Sequence, residues 1–171
     1  MKFYEDPLYI RMCREAKEIQ EGWKPEFGDF ISLGGGTKNI CVIAHEALVV
    51  DVEHKRNYKE FKVDGSFGGH WPCFTCPPQS KRDEEFLRFL VWLPRQDQLQ
   101  EIWRQEYLSH PTENGWFGEF VNWMGNKYGG RDENPDELFD TMEQLWLAFI
   151  MWMLFSKLWD FEEERWKGGS R

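Results

Sequence analysis

The stretch Leu145-Trp146-Leu147-Ala148-Phe149-Ile150-Met151-Trp152-Met153-Leu154-Phe155 decides how the rest of the sequence is read. It is apolar on every face a helix presents, and such a helix has to be enclosed. A segment of this length rises only about 16 Å, roughly half the hydrocarbon thickness of a bilayer, so protein rather than lipid is the expected enclosure. Glu143, Gln144, Ser156 and Lys157 bracket the run with polar groups. A buried helix that the remaining chain wraps is therefore the organising expectation.

Two start signals precede the run. Asn134-Pro135-Asp136-Glu137 and Thr141-Met142-Glu143-Gln144 both have capping-box form, and either can open the helix. The pattern carries it to about Trp159. Beyond that, Glu162-Glu163-Glu164 and Gly168-Gly169-Ser170 read as a solvated, fraying end, with a flexible tail over 167–171. Upstream, a short helix over Trp116–Met124 is expected to bury Phe117, Phe120, Val121 and Met124, with Gly125 as its stop. Asp97 with Gln100 opens another helix, whose Leu99, Ile102, Trp103 and Tyr107 share a face.

The first half of the chain changes period. Asp6 caps a helix with Pro7 at its first position, and Leu8, Met12, Ala16 and Ile19 recur at helical spacing through Gln20. Asp29–Leu33, Asn39–His45 and Ala47–Glu53 are β-branched runs separated by turn residues, which predicts an antiparallel meander. Tyr58–Val63 alternates as an edge strand would, and Phe89–Leu93 reads as a final strand closed by Pro94. Residues 64–79 form a long Gly, Pro and Cys loop without period, the first place to look for a site. The expected class is α+β. A small antiparallel sheet of three to four strands packs against about four helices, the C-terminal one buried, in a single domain over 1–171.

Composition narrows the function. The 171 residues carry 21 Lys and Arg against 30 Asp and Glu, a net charge of −9. Direct nucleic-acid binding needs a basic patch that displaces counterions, and Lys81-Arg82 is followed at once by Asp83-Glu84-Glu85. Ten tryptophans exceed what one core can hide, so Trp71, Trp116 and Trp123 are candidates for contact with a ligand or partner. With no apolar leader segment, a cytoplasmic location without membrane attachment is expected. The four cysteines are expected reduced.

His70-Trp71-Pro72-Cys73-Phe74-Thr75-Cys76 is the sharpest chemical signal. Two thiols two residues apart can chelate zinc with His70 as a third ligand, and Cys41, His45 or His54 would have to complete the set. Free loop thiols without a cofactor are the plainer reading. Pro77-Pro78 opposes the helix that a thioredoxin-like pair should open. Gly34-Gly35-Gly36-Thr37-Lys38 is too short for a phosphate loop and leads into a strand, so it reads as a hairpin turn. No nucleophile elbow or facing carboxylate pair points to catalysis. Asp132, Glu133, Asp136, Glu137, Asp140 and Glu143 form an acidic patch that can imitate a phosphate track, although helix starts favour acids anyway. Arg95, just past a buried strand, is either a ligand contact or a salt-bridge anchor.

The segments Trp92-Leu93-Pro94-Arg95-Gln96-Asp97-Gln98-Leu99-Gln100, Asp6-Pro7-Leu8-Tyr9-Ile10-Arg11-Met12-Cys13 and Met142-Glu143-Gln144-Leu145-Trp146-Leu147-Ala148-Phe149 resemble a group of small uncharacterised proteins encoded by phages and prophages of Gram-positive bacteria. The resemblance covers both ends and the middle helix and leaves out the Cys-bearing loop. It implies a mobile-element context, in which short proteins bind and redirect host or rival machinery. Three functions follow as expectations. The first is a non-catalytic accessory protein that binds a host or competing-element protein. The second is a small ligand- or nucleotide-binding protein or enzyme with a pocket near 64–79 and Arg95. The third is an acidic nucleic-acid mimic.

Overall fold

A computed structural model describes residues 2–24, 26, 28–33, 40–45, 48–51, 57–58 and 90–169. The chain divides into two compact units, Met1–Leu93 and Pro94–Arg171.

In the first unit, the Asp6 carboxylate accepts from the backbone N–H of Leu8 at 2.9 Å and of Tyr9 at 3.3 Å. With Pro7 at the first position, this cap starts α1 (Pro7–Glu15), which buries Tyr9, Ile10, Met12 and Cys13. The helix expected to continue to Gln20 breaks at Ala16, whose ψ of 65° leaves the helical region. It resumes as α2 (Lys17–Gly22). The Gln20 side-chain amide reaches back to the Cys13 carbonyl at 3.0 Å, which offsets part of the lost ladder.

The meander follows as β1 (Phe30–Leu33), β2 (Ile40–His45), β3 (Leu48–Asp51) and β4 (Asn57–Tyr58). β5 (Leu90–Leu93) returns antiparallel against β1, giving the order β4-β3-β2-β1-β5. All four β5 residues are buried, as an uninterrupted apolar run in a strand requires. The Gly34–Thr37 turn and residues 59–63 of the expected edge strand lie outside the described residues.

The second unit opens with α3 (Gln96–Ser109). Its start differs from the Asp97–Gln100 box. Arg95 is the cap residue, and its N–H donates to Gln98 Oε1 at 2.9 Å. Asp97 instead takes the Arg95 guanidinium at 3.1 Å. α4 (Gly115–Met124) follows, and then both start signals are used in turn. Asn134 caps the single-turn α5 (Pro135–Leu138), and Thr141 caps α6 (Met142–Phe155). Gln144 secures the second start twice: its N–H donates to Thr141 Oγ1 at 3.3 Å, and its Oε1 accepts from Asp140 N–H at 2.9 Å. Residues Gln144 to Met151 are buried continuously, so the expected pillar is in place.

The helix does not reach Trp159. It ends at Ser156, which adopts the left-handed conformation at φ 53°, ψ 44°. The chain then forms a hairpin of β6 (Lys157–Asp160) and β7 (Arg165–Gly168), with Trp159 paired to Trp166. The acidic run expected to fray is the turn of this hairpin. The Asp160 carboxylate accepts the backbone N–H groups of Glu162 and Glu163, both at 2.9 Å, and the Lys167 ammonium at 2.7 Å. The Lys167 bond, then the Glu163 amide, hold the Asp160 carboxyl down to about 2. Trp159 is buried because its ring meets Trp166 and its N–H donates to the Tyr128 hydroxyl at 2.7 Å. The architecture is α+β. Among the described residues no helix is long and apolar enough to cross a membrane.

Candidate interaction surface on the C-terminal unit

α4 carries six large apolar residues in ten: Trp116, Phe117, Phe120, Val121, Trp123 and Met124. That is more than one helical face can bury. The fold buries Phe120 and Trp123. Phe120 lies flat on Trp146, with centroids 3.9 Å apart and planes 8° from parallel. Phe149 stands edge-on to Phe120, Trp123 and Trp146 at 5.4, 5.5 and 5.6 Å, and to Trp103 at 5.1 Å. Offset and edge-to-face aromatic pairs each contribute about 0.5–1.5 kcal/mol beyond the area they bury, so α4 is held firmly on this side.

The surplus is presented outward. Phe117 is 47% exposed and Val121 46%, one helical turn apart on the same face. The expectation that both are buried is therefore corrected: helical spacing allows two overlapping faces on α4, and packing on α6 selects the one through Phe120 and Trp123. Phe117 still touches the stack, with its ring 6.3 Å from Trp146 and 5.6 Å from Trp116. Met142 precedes Trp146 by one turn of α6 and is itself exposed. An exposed apolar surface thus rests directly on a rigid aromatic base.

Its surroundings are acidic. Residues 94–171 hold eight Lys and Arg against fifteen Asp and Glu, so −7 of the chain's −9 lies in this unit. Glu119 on α4 accepts from Thr112 Oγ1 and Asn114 Nδ2, which ties its carboxylate to the start of the helix. Asp136, Glu137 and Asp140 are exposed along the approach to α6. Asp132 pairs with Lys127 at 2.6 Å.

Of the residues singled out by sequence, Trp116, Trp123 and Arg95 are described. Trp116 is half-buried at the rim of the surface, and its carbonyl accepts from Trp103 Nε1 at 2.8 Å. Trp123 is a core residue rather than a surface one. Arg95 is half-buried, and its guanidinium donates to the exposed Asp97 carboxylate two residues on, at 3.1 and 3.4 Å. Trp71, His70, Cys73, Cys76 and the whole 64–79 loop lie outside the described residues. Of the possible completing ligands, Cys41 is buried, and among the described residues no group of three His, Cys, Asp or Glu side chains is placed to hold a metal. Phe117 and Val121 were missed by pattern reasoning, although the excess of apolar residues on one short helix is the signal that marks them.

Comparison of the chain with protein-family models, with curated proteins and with solved structures finds no match.

Proposed function

We propose that this protein is a non-catalytic accessory protein of phage or prophage origin that binds a host or competing-element protein through the outer face of α4. The supporting observation is the pair Phe117 and Val121, about half exposed on a helix whose opposite side is locked into an aromatic stack. A preorganised apolar anchor loses little conformational freedom on binding, which is the usual character of an interface hot spot. The acidic surround gives the partner its chemistry: an apolar pocket rimmed by Lys and Arg, approached with electrostatic steering.

The test places a photo-crosslinking residue at Val121 and, as a control, at Arg104 on α3, in otherwise unchanged full-length protein expressed in the native host. A partner crosslinked from position 121 and not from 104, lost in Phe117→Ser and weakened as salt rises, supports the reading. Equal crosslinking from both positions, or an unchanged yield in Phe117→Ser, refutes it. Competition by duplex DNA for the captured partner identifies the acidic-mimic form of the same interaction.

A further inference from the structure

The first unit carries a second feature, independent of the α4 surface. Among the described residues β5 is the edge strand beyond β1, and an edge presents alternate backbone N–H and C=O groups outward. Gln20 shows which ones. Its Oε1 accepts from Trp92 N–H at 2.9 Å and its Nε2 donates to Trp92 C=O at 3.0 Å. A side-chain amide is chemically a peptide group, so Gln20 supplies one rung of a missing neighbouring strand. The outward direction recurs every second residue, so the N–H and C=O of Leu90 face the same side, about 6.7 Å along the edge. No described residue pairs with those groups on that side.

Leu90 and Val91 form the floor of a cleft of about 480 Å³, within the size range of built ligand sites. The helical wall carries Arg14, Lys17 and Glu21 alongside Gln20. Arg14 and Lys17 are three residues apart across the α1–α2 break and have no ion-pair partner among the described residues. With Glu21 counted, this wall keeps a net charge of plus one on a chain of −9. Trp23 closes one end. Its indole lies 5.8 Å from Trp92 and 7° from parallel, and its Nε1 donates to the buried Asp29 carboxylate at 2.7 Å. The walls are thus fixed before anything binds.

We propose that the open edge of β5 at Leu90 is a docking site for an extended acidic peptide segment of a partner protein. The segment adds as a strand, continuing the rung that Gln20 begins, and sets its carboxylates against Arg14 and Lys17. Main-chain pairing supplies the attachment and charge supplies the selection.

The probe is a fluorescein-labelled hexapeptide, Thr-Glu-Val-Glu-Val-Thr, titrated against the full-length protein by anisotropy. Saturable binding is expected, weakened at least about tenfold, or 1.4 kcal/mol, when both Glu are replaced by Lys, when the central amide is N-methylated, or in the Arg14→Glu/Lys17→Glu variant. Both substituted side chains are exposed, and circular dichroism checks that the variant stays folded. Hydrogen exchange of the Leu90 amide is expected to slow at least about tenfold with the peptide present. Absence of saturation at millimolar peptide overturns the proposal, as does binding indifferent to both charge reversal and N-methylation. A concentration-dependent dimer that protects Leu90 without peptide also overturns it, because the edge then belongs to a second copy of the chain.

Discussion

Phe120 and Trp146 are stacked at 3.9 Å, the closest ring approach among the described aromatics, and both are fully buried. Phe120→Ala removes a ring that also meets Trp123 and Phe149, so it loses transfer free energy and leaves a cavity bounded by stiff neighbours. The expected cost is about 3–5 kcal/mol. Phe117→Ala, three residues earlier and half exposed, is expected to cost about 1 kcal/mol or less. Urea denaturation followed by tryptophan fluorescence separates the two. Equal costs would mean that the outward face of α4 is as buried as the inward one.

The contrast within α4 shows where sequence stops being sufficient. Caps are local chemistry, so Asp6-Pro7 and Thr141 with Gln144 mark helix starts that the structure keeps. Full enclosure is also legible, because Leu145–Phe155 leaves no polar face to turn outward. The choice between two apolar faces on α4 is not local. It depends on which side α6 offers Trp146 and Phe149. The end of α6 was illegible for a related reason: Leu158 and Trp159 continue an apolar helical pattern, and the left-handed Ser156 together with the Trp159–Trp166 pair divert them into a hairpin. Trp123, one of the tryptophans expected at the surface, is instead buried in the aromatic stack beneath α4.

Gln20 offers a test of the edge geometry apart from any ligand. Gln20→Leu keeps the volume of the side chain and removes three hydrogen bonds, to Trp92 N–H, Trp92 C=O and the Cys13 carbonyl. These groups are partly buried, so the expected cost is about 2–4 kcal/mol, near the sum of two to three modest desolvation penalties. Faster hydrogen exchange at the Trp92 amide is the direct readout. An unchanged exchange rate would show that solvent or another group takes over the edge.

Alkaline pH is expected to destabilise both units, each through its own group. Burial pushes the Cys13 thiol far above its usual 9.0, and burial likewise pushes the Tyr128 hydroxyl far above 10.0, against the smaller opposing effects of the Trp159 amide and Arg131. Both pKa values are raised in the folded state. The stability they provide is therefore complete below the unfolded values, about 9 for Cys13 and about 10 for Tyr128, and is lost progressively as pH climbs from there toward the higher folded values. Urea midpoints measured from pH 7 to 10.5 are expected to fall, and Cys13→Ala is expected to flatten the first part of the decline. Tyr128→Phe flattens the second part while costing about 1–3 kcal/mol at neutral pH, because the buried Trp159 N–H loses its acceptor. A midpoint independent of pH in the unmodified protein would contradict both assignments.

Ser156 sets the boundary between α6 and the hairpin, and it does so in a backbone conformation that costs a non-glycine residue roughly 1–2 kcal/mol. Its N–H donates to the Trp152 carbonyl at 3.0 Å and its carbonyl accepts from Gly169 N–H at 2.8 Å, so the surrounding bonds hold the conformation in place. Ser156→Gly relieves the strain at the expense of a more flexible unfolded chain, and a net gain of about 0.5–1 kcal/mol is expected. Ser156→Pro cannot adopt a φ of 53° and removes the donor to Trp152, so a loss of about 3 kcal/mol or more is expected. Thermal denaturation of the two variants should move in opposite directions. If glycine lowers the midpoint, the left-handed cap is absent and α6 runs on toward Trp159.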